Sequence, residues 1–489
     1  MGFLFSGTLN VGVAMLVMKF GGTSVACAES IGRVARIVRE RLHLQPVVVV
    51  SALAGVTDGL QTMGALSRDG ALEDALSLLH GCEDRHHEAA KALFPNKSEA
   101  FFKNDLRPLF DEARALLKAV FAVQELTPRT LDRLLGFGER WSSRLVAEAF
   151  RAEGLRAVHV DAGDVVVTDA NYSHATPRID LIAARVGTRI RPRVQSGCVP
   201  VLGGFIGSTE DGIPTTLGRG GSDFTASILG ASLEAESIEI WTDVDGMMTA
   251  DPRICSDAQN IESISFDEAA ELAHFGAKVL HPKTLQPAMD RGIPVYVLNS
   301  RHPENCGTRV EVTETSEEGR VRSVACKRGI TLAEVFARQG LEAKLTSAIF
   351  DALERQKCLV DLAAMSRSNL SLLLNSRSAA DALSEFLQDR ASVNVIEGSA
   401  LVSLVGRNVA RNPAICARAL SALPNLPLRM IFHGASDMNL SFVVAEEDAD
   451  EVVRALHLAL FPRQPAIHHA EAPIPLNKSQ EPLLARAEA

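Results

Sequence analysis

The sequence predicts an α/β protein, with a mostly parallel sheet sandwiched by helices, followed by two small ferredoxin-like α+β units. Three observations carry this prediction. β-branched runs alternate with amphipathic helical stretches through the first 310 residues, the mark of βαβ units whose crossovers build a parallel sheet. A charged stretch, SEEGR at 316–320, ends that alternation. After it, a strand–helix–strand–strand–helix–strand order occurs twice, the split βαβ pattern of ferredoxin-like domains.

Taken in order, LVMKF (16–20) and PVVVVSA (46–52) read as short buried strands. Between them, Ile31, Val34, Ile37, Val38 and Leu42 fall on one helical stripe. Helical stretches follow at about 71–93 and 99–123, and TPRTLDRLL restarts a helix with Pro128 in its first turn. Strands return at 157–162, 199–207, 237–244 and 294–300, separated in the second half by the helices SDFTASILGASL and FDEAAELAHFG. Residues 15–310 therefore read as one domain. The two small units are expected at 321–396 and 397–462. Residues 1–14 read as an N-terminal extension, with Met15 as an alternative start, and 463–489 as a flexible tail rich in proline and polar residues.

Composition narrows the function. The 489 residues are 46% hydrophobic and 22% charged, which suits a globular chain with a large core. A net charge of −10 gives no basic face for a nucleic acid. No apolar run reaches the length that spans a bilayer, and the apolar first fourteen residues lack the basic start of a signal peptide. Eight cysteines occur without a CxxC pair or a neighbouring histidine cluster, so reduced thiols in a cytoplasm are expected and a zinc site is not. The paired histidines, His86 with His87 and His468 with His469, read as solvated.

Four stretches carry chemistry, each at the end of a strand or the start of a helix, where doubly wound sheets bind ligands. In KFGGTS (19–24), Lys19 stands beside Gly21 and Gly22, a charge next to a backbone that can nest an anion. The phosphate-loop spacing is absent, so a P-loop does not explain it. In SALAGVTDGL (51–60), Ser51 and Thr57 offer hydroxyls after a buried strand. In TLGRGGSDFTA (216–226), three glycines free a loop into a helix beginning near Ser222; Arg219 can grip a carboxylate with both arms, and Asp223 sits in the first turn. In WTDVDGMMTADPR (241–253), followed by FGAKVLHPKTL, the residues Asp243, Asp245, Asp251, Arg253 and Lys278 suit a nucleotide. Each stretch alone also reads as an ordinary turn or cap. Together they supply cations, a glycine nest and a carboxylate-gripping arginine, which is the equipment of phosphoryl transfer to a small anionic acceptor.

In this order, KFGGTS, the S-x-x-x-G-x-T loop, FGE (137–139), TTLGRGGSD, WTDVDG…TADPR and FGAKVLHP resemble the aspartokinases of the amino acid kinase family. The resemblance runs from Met15 to about Pro462, and RMIFHGASDMNLSFVV with EDADEVVRALHLALF resembles the lysine-sensitive, monofunctional branch. It implies an amino acid kinase fold with two regulatory ACT domains. It also implies ATP-dependent phosphorylation of the side-chain carboxylate of L-aspartate, the first step toward lysine, threonine and methionine. By position, Lys19, Gly21, Gly22, Thr242, Asp243, Met248, Arg253 and Lys278 are implied to bind ATP. Ser51, Thr57, Glu139, Arg219, Ser222 and Asp223 are implied to bind aspartate, with Lys19, Lys278 and Asp223 at the chemistry. Mg2+ is expected to arrive on ATP rather than in a protein cage. A homodimer is expected, with a tetramer as the alternative, and an amino-acid effector at the ACT units. Two departures stand out. Met248 replaces an aromatic residue near the adenine. The first ACT unit lacks the M-L-x-x-x-G-F and T-S-E patterns and carries Arg367, which argues against inhibition by lysine. A non-catalytic amino-acid sensor and a kinase for another carboxylate or carbamate are the competing readings.

Overall fold

The computed structural model describes residues 15–276, 282–312, 319–337, 340–388, 390–434 and 436–461. The N-terminal extension, nearly all of the segment around Lys278, His468, His469 and the C-terminal tail lie outside the described residues.

The strands of the first domain are β1 (Leu16–Phe20), β2 (Pro46–Val50), β3 (Ala157–His159), β4 (Val199–Gly203), β5 (Ile206–Ser208), β6 (Pro214–Thr216), β7 (Ser237–Thr242), β8 (Ser263–Ser265), β9 (Val295–Asn299) and β10 (Thr308–Glu311). All except the β5–β6 hairpin join one sheet in the order β3-β4-β2-β1-β7-β9-β10-β8. Only the β9–β10 pair is antiparallel. The chain moves outward from β1 through β2 on one side and resumes at β7 on the other. The reversal at β1–β7 opens a crevice at the carboxyl ends of the strands.

Alternation along the strands assigns the two faces. Leu16, Met18, Phe20, Val48 and Val50 pack under helices that include Ala28–Glu40, Val56–Arg68, Leu72–Leu93, Arg107–Val123 and Phe137–Ala152. Val17, Val47, Val49, Ile238 and Ile240 pack under Ile179–Arg189, Gly221–Leu233, Phe266–His274 and Pro282–Asp290. By the period of two, Lys19 belongs to the face of Val17, and therefore to the face covered by Gly221–Leu233. Each large apolar side chain buried this way contributes about 1.5–3 kcal/mol.

Three expectations need correction. The strand expected at 199–207 is broken in two, because Phe205 adopts φ 63° and the amide of Gly204 turns to bond Val50 O. His86 is fully buried rather than solvated. It lies on the inner stripe of its helix with Ala75, Leu79 and Ala90, its Nδ1 is 2.7 Å from Cys82 O, and its ring meets Phe110 and Trp141 edge-on. Burial lowers its pKa to about 4, so the imidazole is neutral.

The third correction concerns the regulatory half. Its strands are β11 (Ser323–Ala337), β12 (Val360–Met365), β13 (Asn369–Leu374), β14 (Ala391–Val405), β15 (Met430–His433) and β16 (Asn439–Ala445). They form one antiparallel sheet ordered β12-β13-β11-β14-β16-β15. β11 and β14 are 15 residues each and pair from Ser323↔Val405 to Ala337↔Ala391. Residues from Ile330 onward build one ferredoxin-like unit with β12, β13 and the start of β14. Residues Ser323–Lys327 instead pair beside Leu401–Val405 and complete the second unit with β15 and β16. The two units are therefore nested, not sequential, and the boundary expected near 396 falls inside β14. The handover from one unit to the other occurs at a register shift in the β11–β14 pairing between Lys327 and Ile330, where Gly329 has φ 70°.

The first domain and this sheet are joined by hydrogen bonds. Ser323 Oγ donates to Met248 O and the Val324 amide to Thr249 O, both at 2.8 Å. Thr249 Oγ1 lies 2.9 Å from His457 Nε2. The buried Glu268 accepts from Arg322 Nε and from the Arg407 amide. Among the described residues, no helix is long and apolar enough to cross a membrane.

Candidate active site

A cavity of about 610 Å³ opens at the carboxyl ends of β1 and β2, within the range of small-molecule sites. Lys19, Gly22, Ser51, Thr57, Glu139, Arg219, Ser222 and Asp223 all line it, so three of the four sequence stretches converge there together with the FGE glutamate. Gly22 lets the loops after β1 and β2 touch: a Cβ there would lie 2.9 Å from Ala52 O. The amide of Gly21 is spent on Trp241 O at 3.0 Å, so Gly21 joins β1 to β7 instead of leading an anion nest.

Lys19 and Asp223 form the charged centre. Lys19 Nζ lies 2.6 Å from Asp223 Oδ1, and both side chains are close to nine-tenths buried. The alternation of β1 aims Lys19 at the helix Gly221–Leu233, whose first turn carries Asp223. Gly220, at φ 70°, turns the chain into that helix, and a Cβ on Gly204 would meet Ser222 Cα at 2.7 Å, so the helix start presses on the β4–β5 loop. Arg219, just upstream, is exposed at the cavity mouth.

Glu139 lies opposite, at the start of the helix Phe137–Ala152. Its Oε1 accepts from the Ala52 amide at 3.1 Å, while Oε2 is buried without a hydrogen-bond partner among the described residues. Burial pushes its carboxyl up to about 8 from an ordinary 4.5. The folded chain then holds a proton that the unfolded chain releases, so this group's stability is full below about pH 4.5 and is lost as pH rises toward 8. Glu139→Gln is expected to melt higher than the parent at pH 9, with the gap closing at pH 4.5. A gap that does not change with pH in circular-dichroism melts would contradict this.

Of the residues expected to bind ATP, Thr242, Asp243, Met248 and Arg253 do not line the cavity. Thr242 ends β7 and Asp243 follows it, and the pairing of β7 with β1 puts them beside the Gly21 loop. Thr242 Oγ1 bonds Asp243 Oδ1 at 3.2 Å, and Ser300 donates to Thr242 O. Arg253 is gripped by Asp251 at 2.6 Å with its side chain 89% exposed, and Met248 lies at the contact with β11. Lys278 is among the residues not described. Sequence reasoning missed several participants. Arg85 donates to the carbonyls of Ala26 and Ala54, tying the loops after β1 and β2. Ser173, His174 and Phe205 also line the cavity, and Asp132 lies behind it. Only their position in the fold identifies them.

This arrangement, a buried ammonium between an acidic first turn and a cationic loop, suits transfer of a charged group to an anion. The amino acid kinase family matches residues 14–299, and an ACT domain matches residues 402–460. Over 456 residues the chain is 36% identical to the lysine-sensitive aspartokinase 3 of Escherichia coli (strain K12), covering 91% of this chain and 99% of that protein. The chain belongs to the aspartokinases of the amino acid kinase family. Aspartokinase 1, chloroplastic, of Arabidopsis thaliana is 34% identical, covering 91% of this aspartokinase and 80% of the plant protein. The crystal structure of E. coli aspartokinase III in complex with aspartate and ADP (R-state) superposes with a TM-score of 0.78 at 34% identity, covering 91% of this chain and all of that one. The same enzyme in complex with lysine and aspartate (T-state) also gives 0.78.

Proposed function

We propose that this aspartokinase transfers the γ-phosphoryl group of ATP to the side-chain carboxylate of L-aspartate, giving 4-phospho-L-aspartate and ADP. The observation that carries the reading is the buried Lys19–Asp223 pair at 2.6 Å, in a cavity that Arg219 and Glu139 share. In this reading Arg219 receives the α-carboxylate through both guanidinium arms, and the arriving α-ammonium favours the ionised form of Glu139, which gives up its proton to solvent and pairs through Oε2. Ser51, Thr57 and Ser222 donate to the substrate, and Asp223 holds Lys19 in place until substrates arrive. The acceptor carboxylate, ionised at neutral pH, attacks the γ-phosphorus as the bond to the β-phosphate oxygen breaks, so no protein nucleophile or base is required. Lys19 and Lys278 neutralise the oxygens on which charge develops. Gly22, Thr242, Asp243, Met248 and Arg253 hold the nucleotide, and Gly21, whose amide is spent on Trp241 O, contributes by leaving the space beside Lys19 Nζ clear.

Mg2+ is read as arriving on the nucleotide phosphates, where it would supply charge neutralisation. The reading extends to a cytoplasmic homodimer and to an amino-acid effector at the ACT units. The hydrogen bonds from β11 and His457 to Met248 and Thr249 support such a link, because they reach the nucleotide side directly. Light scattering and assays with lysine, threonine and methionine, singly and in pairs, test this part.

The test of activity is trapping with hydroxylamine. Acyl hydroxamate is expected only when ATP and aspartate are both present; its absence from the full chain rejects the reading.

A further inference from the structure

Behind the acceptor end of the cavity lies a carboxylate with no counter-charge. Asp132, on the helix Pro128–Leu135, is fully buried. Among the described residues it forms no ion pair, and dipoles satisfy it instead. The Ser173 amide donates to both its oxygens at 3.0 and 2.9 Å, the Thr216 amide to Oδ2 at 3.0 Å, and Thr216 Oγ1 to Oδ1 at 2.7 Å. A buried charge is costly unless every acceptor is used, and stability alone gives no reason to keep one here.

The location of its partners gives a reason. Ser173 has φ 71°, a backbone state that a serine rarely holds without outside restraint. Thr216 ends β6, three residues before Arg219. Between them Gly218, at φ 77°, fits against the Ser173–His174 segment so closely that a Cβ would lie 2.6 Å from His174 Nδ1. One carboxylate thus fixes the segment forming the far wall and the strand that launches the Arg219 loop.

We infer that Asp132 is a positioning residue for the acceptor carboxylate: it sets Arg219 and the Ser173–His174 wall relative to the helix start at Ser222, and acts on aspartate affinity without touching either substrate. The inference rests on the reading of this cavity as the aspartate site.

The test is steady-state kinetics of Asp132→Asn and Thr216→Val in the full chain. Asn keeps the shape but loses one acceptor; Val removes only the hydroxyl contact. For Asp132→Asn the KM for aspartate is expected to rise at least tenfold while the KM for ATP stays within twofold. Thr216→Val is expected to move the aspartate KM in the same direction by about threefold, and it serves alone should Asp132→Asn not fold. An unchanged aspartate KM in a folded variant overturns the inference. So does a loss of kcat, ATP affinity and melting temperature in parallel, which would mark a merely structural role. Parent protein without aspartate-dependent activity would instead reject the aspartate reading, and the inference with it.

Discussion

Replacing Lys19 by alanine is expected to lower kcat by about 10²- to 10³-fold, the usual effect of removing one preorganised donor from a transferring group. The ammonium is held by Asp223 at 2.6 Å in a largely dry position, so its charge acts at low dielectric and reorganises little during transfer. The variant also leaves Asp223 without its partner, facing incoming phosphate oxygens with its own negative charge. The double variant Lys19→Ala/Asp223→Ala is therefore expected to bind ATP better than Lys19→Ala alone while remaining as slow. Lys19→Arg is expected to rescue poorly, because a planar guanidinium does not fit the place of a compact ammonium. Single-turnover rates of phosphoryl transfer check this, and a near-normal rate for Lys19→Ala would remove Lys19 from the chemistry.

Arg219→Ala is expected to raise the KM for aspartate about 30- to 100-fold. Truncating one member of a hydrogen-bonded charge pair costs about 2 kcal/mol or more, and each 1.4 kcal/mol is tenfold. Arg219 is exposed at the cavity mouth and forms no ion pair among the described residues, so its loss should hardly change folding. The effect therefore reads as substrate binding. Arg219→Lys is expected to recover only part of the loss, since a point charge cannot make two parallel bonds to a carboxylate. Initial rates over a range of aspartate at saturating ATP check both variants. An aspartate KM within threefold of the parent for Arg219→Ala would place the α-carboxylate elsewhere.

What the sequence disclosed was what local chemistry determines. The run Val47–Val50 read as a buried strand, and the glycines around Arg219 marked a loop into a helix near Ser222 with Asp223 in its first turn. Residues whose meaning depends on distant backbone stayed hidden. Asp132 looks like any helical aspartate, because its partners are amides 41 and 84 residues away. Arg85 binds carbonyls of two loops that come close only through the β1–β2 pairing. The strand expected at 199–207 ran through a break whose positive φ belongs to Phe205, a residue type that gives no such signal. The short strands β8 and β10, three and four residues long, are too short for periodicity to register. The nesting of the two small units escaped for a related reason. A strand's local pattern says which face is buried but not which neighbour it pairs with, and Ser323 finds its neighbour 82 positions away at Val405.

That nesting decides how the chain can be cut. Ile330 and Ser399 are paired, so the unit between them leaves and returns at one spot and could be excised by joining the chain across that gap. The other unit offers no such seam. A stop codon placed after the first unit would strand Ser323–Lys327 without the rest of its sheet and expose an apolar edge, so the two modules are unequal parts for graft and deletion, one detachable and one built into the frame.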